Sequence, residues 1–506
     1  MFTFEKLNLI NGLDIENPEN AVQNSYAWCM AELGDYIYVG TARNLISSAS
    51  MAWGNGGNEN STPSALVTGD DNAAEIWRYK KESGTCIWKR VFKTKASENI
   101  SGFRAMVMHD NGKECALYAA GVGPKLSLFK STDGLHWRRI DTSNLSGTNS
   151  RSLVSFRGKL YMATLDEALG GNVPYLYSSY DPEVKPFKSV IDMNNPNFES
   201  CKNPVGGIDD LRVFNNKLYV SIGTENGAEV WRSNDNHPKT NNWTIVADKG
   251  FGDYLNSSIM SSGIFKDHLY VAVTKKVPFA LMAPLGFDLI RIDKDDNWSV
   301  IVGGKPILPS EPLTGCRNNP LSGFNSGFNN YFNVYGWQIT SFKDNLVLTT
   351  CDFSTNIVTI IVGLVSMKDS NIAKWGCENY YALLNCYLKI LSIIQKYKYP
   401  MGFDMYTSKD GCHFRPVNLD GLNNPTNYSG RTLLVTSEDD LYLGTANPFE
   451  GLEVWKVDYE NSCDNSANEN CIINYFSKMN KMNKELIKVY PKLLELPPKT
   501  FSSMVK

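Results

Sequence analysis

The chain has 506 residues, enough for two or three ordinary domains or for one large repeat fold. A formal charge of −3 with 20% charged residues leaves no basic footprint for nucleic acid, and 12% aromatics with 39 glycines favour an all-β protein rich in turns. Eleven scattered cysteines without a Cys-x-x-Cys pair, apolar runs too short or interrupted to span a bilayer, and an opening without a leader pattern lead to the expectation of a cytoplasmic protein with no transmembrane segment.

The first apolar run, "FTFEKLNLI", has the composition of an outer strand and precedes the first hairpin. Then one pattern recurs seven times: two runs of period two around a short turn rich in Gly, Asp, Asn or Lys, beginning at "SYAWCMAELGDYIYVGT" and ending at "YSGRTLLVTSEDDLYLGT". A third strand follows in most units ("AEIWRY", "AEVWRS", "FDLIRI", "LEVWKV"), and a fourth carries an aromatic ("CIWKRVF", "HWRRID", "NWTIV"). Four-stranded antiparallel units that bury both sheet faces by radial stacking predict a seven-bladed β-propeller over residues 1–460. The last unit has only three clear strands, so residues near Phe4 to Leu9 are expected to pair beside "LEVWKV" as its fourth.

Two turns, "STDGLHW" (Ser131 to Trp137) and "SKDGCHF" (Ser408 to Phe414), resemble the Asp-box of sialidase-type propellers, with Asp133 or Asp410 accepting turn amides and Gly134 or Gly411 at positive φ. Insertions fall at second-to-third-strand and inter-unit connections, which share one face of a propeller. They bring Met51, Trp53, Phe279, Leu281 and Met282, the loop 306–332, and a helical stretch within 353–400 whose Leu384, Leu388 and Leu391 recur at helical spacing. That stretch is expected to cap the channel beside Arg104 and enclose an apolar cavity with a polar floor. Residues 461–506 read as an Asn-rich linker and a short helical tail.

Aligning the innermost strands on their turns sets Trp28, Arg104, Arg151, Asp209, Met260, Trp337 and Arg431 at one level, with Tyr26, Asp210, Tyr335, Gln338 and Tyr428 nearby. The next level inward is mostly apolar. Three arginines in a narrow channel suit a carboxylate, phosphate or sulfate, and an apolar rim above them suits an amphiphile with an anionic or polar head. The bland alternative is that Asp209, Asp210 and backbone carbonyls neutralise the arginines and only rigidify the channel. Glu75, Glu229, Asp288, Asp404 and Glu453 open the third strands and read as ties accepting amides or the Thr hydroxyl of Gly-Thr. The five histidines show no ligand spacing, so no metal or cofactor is implied, with a structural calcium ion left open.

The segments "NSYAWCMAELGDYIYVGTARN", "GFRAM" and "NYSGRTLLVTSEDDLYLGTANPFEGLEVW" resemble a bacterial seven-bladed propeller family that includes the cyanobacterial cylindrocyclophane-forming alkylating enzymes. The resemblance implies a transferase that displaces a secondary alkyl chloride, with Arg104 and Tyr428 as catalytic candidates. From the aligned channel level and its neighbours, Arg151, Arg431, Trp28, Trp337, Asp209 and Tyr335 are the candidates for binding substrate. The Gly- and Asp-rich calcium nonapeptides that accompany some of those enzymes are missing from this chain. The other reading is a non-catalytic propeller module that binds a ligand, a glycan or a protein. The sequence does not indicate an oligomeric state.

Overall fold

Short turns in which Gly34, Gly158 or the pair Asn215 and Asn216 take positive φ set runs of alternating polarity side by side. The computed structural model describes residues 1–45, 71–166, 173–191, 204–240, 242–276, 280, 283–460 and 469–494. They are mostly β, in antiparallel sets whose strands are neighbours along the chain. One set illustrates the plan: Gly207–Phe214 pairs with Lys217–Gly223, which pairs with Glu229–Ser233, which pairs with Trp243–Ala247.

The first strands of the sets are Asn24–Leu33, Gly102–Asp110, Asn149–Phe156, Gly207–Phe214, Asn256–Phe265, Asn333–Phe342 and Ser429–Val435. Each packs against the next in chain order, and the last packs against the first. This closed cycle is a propeller-like arrangement. Face-to-face contact between sets forms the core: Tyr161, Ala163 and Leu176 of one sheet meet Val220, Ile222 and Trp231 of the next.

The chain's first strand completes the last set. Phe2–Lys6 pairs antiparallel with Val454–Tyr459, with Phe4 opposite Val457 and Lys6 opposite Trp455. The pairing begins and ends a few residues earlier than the sequence suggested, because Leu7 and Asn8 already turn inward to bond the backbone around Leu452 and Val454.

The repeated acid of the third strand is a tie within its own set. Glu453 accepts from Asn427 Nδ2 (2.7 Å), from Lys6 Nζ (3.0 Å) and from its own strand's Trp455 Nε1 (3.1 Å). Glu75 accepts from Asn24 Nδ2 (3.1 Å) and Trp77 Nε1 (2.9 Å), and Asp404 from Asn333 Nδ2 (2.7 Å) and the Tyr406 hydroxyl (2.9 Å). The i,i+2 donor is possible because a strand returns to the same face every second residue. The Thr hydroxyls expected as donors bond the backbone instead: Thr41 donates to the Glu75 carbonyl, and Thr445 accepts from the Glu453 amide. The Asn side chains do that work.

The two singled-out turns have matching geometry. Asp133 accepts the amides of Leu135 and His136 at 2.8 Å, and Asp410 those of Cys412 (2.9 Å) and His413 (2.8 Å). Gly134 and Gly411 take φ of 69° and 77°. A Cβ there would lie 1.9 Å from the hydroxyl of Tyr38 or Tyr270, so any other residue would have to displace the tyrosine and hold a strained φ.

Besides a short helix α1 (Pro18–Gln23), the described helices are α2 (Ser354–Ser366), α3 (Lys368–Trp375), α4 (Cys377–Lys396) and α5 (Glu469–Leu494). The segment α2–α4 leaves the sheet after Asp352 and returns at Met405, whose strand pairs with the one that was left. α5 is longer than the short tail expected. It docks on α4, with Met479, Met482 and Leu486 fully buried and Lys396 and the Tyr397 hydroxyl on Glu485 (2.6 and 2.7 Å).

The buried stripe of α4 is Leu383, Tyr387, Ile390 and Ile394, rotated by about one residue from the Leu384, Leu388, Leu391 stripe read from the sequence. Leu388 is 44% exposed, while Leu384 and Leu391 lie at the edge of the contact. The rotation arises because α4 packs against α2 and α3 as well as against α5. Tyr387→Ala should therefore cost about 3–5 kcal/mol in a denaturant titration, and Leu388→Ala no more than about 0.5 kcal/mol. Equal losses would contradict this register.

Candidate functional site

Each first strand carries one more residue than its partner at the same height. The ladder slips between Ala27 and Cys29, Phe103 and Ala105, Asn149 and Ser152, Ile208 and Asp210, Ile259 and Ser261, Gly336 and Gln338, and Gly430 and Thr432. The residues at these slips are Trp28, Arg104, Arg151, Asp209, Met260, Trp337 and Arg431, the level aligned from the sequence. A bulge leaves its extra residue unpaired and re-aims the side chain, here away from the sheet ladder. The longer turn before Leu441 leaves Arg431 in register with the others, because its bulge sits at the corresponding place.

Trp28, Arg104, Arg151, Asp209, Met260 and Arg431 line a single cavity of about 170 Å³. Met30, Met106, Leu153 and Leu433 lie at the level below, and Asp210, Arg212, Ser152, Ser261 and Gln338 complete the wall. Trp337, Tyr335 and Tyr428 are not among the lining residues. They belong, with Tyr26 and Trp28, to an aromatic layer packed under the helices. In it Tyr26 meets Tyr428 edge-on at 5.7 Å, and Tyr335 meets Trp337 at 5.2 Å.

The arginines are held differently. Arg104 donates from Nη1 to Asn149 Oδ1 (2.9 Å) and lies over the Trp28 ring at 5.4 Å. Arg151 points Nη2 at Met260 Sδ (3.2 Å), with Nε 4.0 Å from Asp209 Oδ1. Arg431 is buried, its guanidinium stacks over Trp337 at 4.8 Å, and its Nε has no hydrogen-bond partner among the described residues. Burial first, and then the charges of Arg104 and Arg151, lower its pKa to about 9, so it remains a cation at neutral pH. Burial pushes Asp209 up to about 6 against the pull of Arg151 and Arg104, with Asp210 adding to the rise.

Asp210 does not neutralise the arginine level. It accepts from Ser152 Oγ (3.2 Å) and Ser262 Oγ, and Arg212 is anchored on the same Ser262. Sequence reasoning passed over Arg212, Ser152 and Ser261. The signal that could have found the bulge is the small residue beside it on the second strand: Gly40, Ala120, Ala163, Ser221, Ala272, Thr349 and Gly444. At Gly444 a Cβ would fall 2.5 Å from Ala27 Cβ.

Apolar side chains of α2 and α4 share one buried cluster with Tyr26 and Tyr428, against which Trp337 packs. Tyr428 is buried there, and burial raises its pKa. The chamber expected under a helical cap involves the rim residues as well. The rim residues Met51, Trp53, Phe279, Leu281 and Met282 lie outside the described residues. Among those described, no helix is long and apolar enough to cross a membrane, and no group of three or more His, Cys, Asp or Glu is placed to hold a metal.

No protein-family model matches the sequence, and no curated protein matches it. Solved structures resembling it include the WD40 β-propeller domain of Doa1, at 10% identity over 90% of this chain and 98% of that one, with a TM-score of 0.41. A prolyl endopeptidase is 11% identical over 88% of this chain and 53% of its own, with a TM-score of 0.38. A luciferin-regenerating enzyme is 8% identical over 70% and 91%, with a TM-score of 0.35. Likenesses this distant say nothing of ligand or activity.

Arg431→Met tests whether this arginine is kept for stability. The change gives up a cation–π contact worth about 0.5–2 kcal/mol. It also removes an unsatisfied buried donor costing about 1–3 kcal/mol and the repulsion from Arg104 and Arg151. In anion-free buffer the melting temperature of the variant should equal or exceed that of the wild type. A clear drop would make Arg431 a structural residue.

Proposed function

We propose that the chain is a seven-bladed β-propeller over residues 1–460, with 353–400 as a helical insertion in its sixth blade and 461–506 as a linker and docked helix, and that it binds a compact anionic group at the centre of the ring. The observation that carries this reading is that three guanidiniums, those of Arg104, Arg151 and Arg431, line one cavity, with Arg151 Nε still 4.0 Å from Asp209 Oδ1. A carboxylate, phosphate or sulfate in the cavity would accept from such convergent donors.

Size limits the ligand. About 170 Å³ is below the roughly 300–1,000 Å³ of sites that enclose drug-sized molecules. The cavity therefore suits the anionic head of a ligand, and the hydrocarbon body of an amphiphile would have to lie elsewhere. Alkyl transfer by an Arg104–Tyr428 pair is the weaker reading, since Tyr428 is packed in the aromatic layer and does not line the cavity. A binding module fits the geometry better.

Calorimetric titration with small carboxylates, phosphate and sulfate is the test. The wild type should bind at least one of them saturably and more weakly as salt increases. Arg431→Gln and the Arg104→Gln/Arg151→Gln double variant should each weaken it about 10–100-fold, the equivalent of losing a charge-assisted hydrogen bond. Binding that is absent, or indifferent to all three arginines, would rule this function out.

A further inference from the structure

A second group of buried charges lies away from the cavity, at the root of the helical segment. In two of the sets, the residue opposite the tie asparagine is a cation that reaches the tie acid. Arg43, paired with Asn24, stands 3.6 Å from Glu75, and Lys275, paired with Asn256, stands 3.1 Å from Asp288. In the set of Asn333 the same register position holds Asp352, an acid where the others place a base. Asp352 and the tie acid Asp404 are both fully buried, and neither is paired with a cation among the described residues. Burying two carboxylates together without a counter-ion is costly, and a proton held by the pair removes the cost.

The pair is bridged. Tyr399 donates its hydroxyl to Asp352 Oδ2 and accepts from Asn330 Nδ2 (2.7 Å), which also stands 3.2 Å from Asp404 Oδ2. Both feet of the inserted helices meet here. Asp352 Oδ1 accepts the amide of Ser354, where α2 begins (2.7 Å), and Asp404 immediately precedes the returning strand at Met405. α5 closes over the bridge through the chain neighbours of Asn330 and Tyr399. Asn483 Nδ2 donates to the Asn329 carbonyl (2.8 Å), and Lys478 Nζ donates to the Lys398 carbonyl (2.9 Å). Tyr475 of the same helix buries its hydroxyl where the charges of Asp404 and Asp352 both act on it.

We infer that Asp352 and Asp404 form a proton-operated latch for α5: the tail helix stays down while the pair holds a proton, and loosens when the proton leaves. Burial pushes Asp352 up to about 7, with Asp404 adding to the rise against the bonds from Ser354 and Tyr399. Burial likewise pushes Asp404 up to about 6, against the bonds from Asn333, Tyr406 and Asn330. An exposed aspartate titrates near about 3.9. The docked state therefore binds the proton more tightly than the open one, so docking is strongest in acid and is lost as pH rises through about 6 to 7. The other titratable groups around the pair are Asp420, Cys351, Tyr399, Tyr406 and Tyr475. Burial holds the thiol and the three phenols protonated, so none of these four changes state in that range.

Hydrogen exchange on the full chain, corrected for the intrinsic effect of pH, tests the latch. In the wild type, α5 should open about tenfold or more often near pH 8 than near pH 5.5, since each unit of pKa difference is a factor of about ten. The strand His268–Lys275, beside the ion-paired Asp288, should keep one opening rate at both pH values. Asp352→Asn retains acceptors for Ser354 and Tyr399 and cannot ionise, so its α5 should stay closed near pH 8. Asp404→Asn should act in the same direction. Equal opening of α5 at both pH values in the wild type, opening of His268–Lys275 together with α5, or asparagine variants that keep the wild-type pH dependence overturns the latch.

Discussion

A closed cycle of first strands forces their bulge residues toward one another, and this crowding governs the rest of the molecule. The extra residue in each strand turns a side chain out of the ladder, and in three of the strands that side chain is an arginine. Guanidinium groups cannot shed their charge, so crowding them costs both desolvation and mutual repulsion. Asp209 offsets part of this at long range, and the rings of Trp28 and Trp337 offset more by stacking on Arg104 and Arg431. No described group fills Arg431 Nε. The centre is thus less stable than an apolar plug of the same volume would be, which is the usual condition of a site shaped for a ligand.

Stability lost at the centre is offset at the rim of four of the sheets. The Asn-to-acid tie recurs at Asn24 and Glu75, Asn256 and Asp288, Asn333 and Asp404, and Asn427 and Glu453. Each tie locks the start of a first strand to the start of the third strand of its own set. The bulge that aims the channel residue lies a few positions further along the same first strand. Rigidity at the tie therefore passes directly to the aim of the bulge, which needs sub-ångström precision if two or three guanidiniums are to meet one small anion.

Much of this was legible in the sequence because it rests on local periodicity. The hairpins, a closing strand from the N-terminus (read a few residues too far along), and the shared level of Trp28, Arg104, Arg151, Asp209, Met260, Trp337 and Arg431 follow from period-two runs and turn chemistry. Partners far apart in the chain were harder to read. That Tyr428 meets Tyr26 from the other end of the ring, and that α4, with α5 docked on it from more than 80 residues away, buries Tyr387 rather than Leu388, rests on such partners. A helical pattern gives a face only to within about one residue when two neighbours compete for it. The Asn donors were invisible for another reason: in a chain this rich in Asn, four recurrences do not stand out until their carboxylates are seen beside them.

The ring is not uniform around its axis, and the asymmetry accounts for the state of Arg431. Aromatic side chains come from the strands bearing Trp28, Trp337 and Tyr428, and the helical layer packs over that part of the ring. Charged and hydroxyl side chains come from the strands bearing Ser152, Asp209, Asp210 and Arg212, where Arg151 keeps some solvent exposure. Arg431 lies where the two parts meet. Its ring-stacked face is dry and burial desolvates the guanidinium, while Arg104 and Arg151 add like charge from the same cavity wall. Burial lowers the local dielectric, and that strengthens every electrostatic interaction in the cavity, attraction to an anion included. The aromatic layer beside the cavity can in this way set the strength of the site.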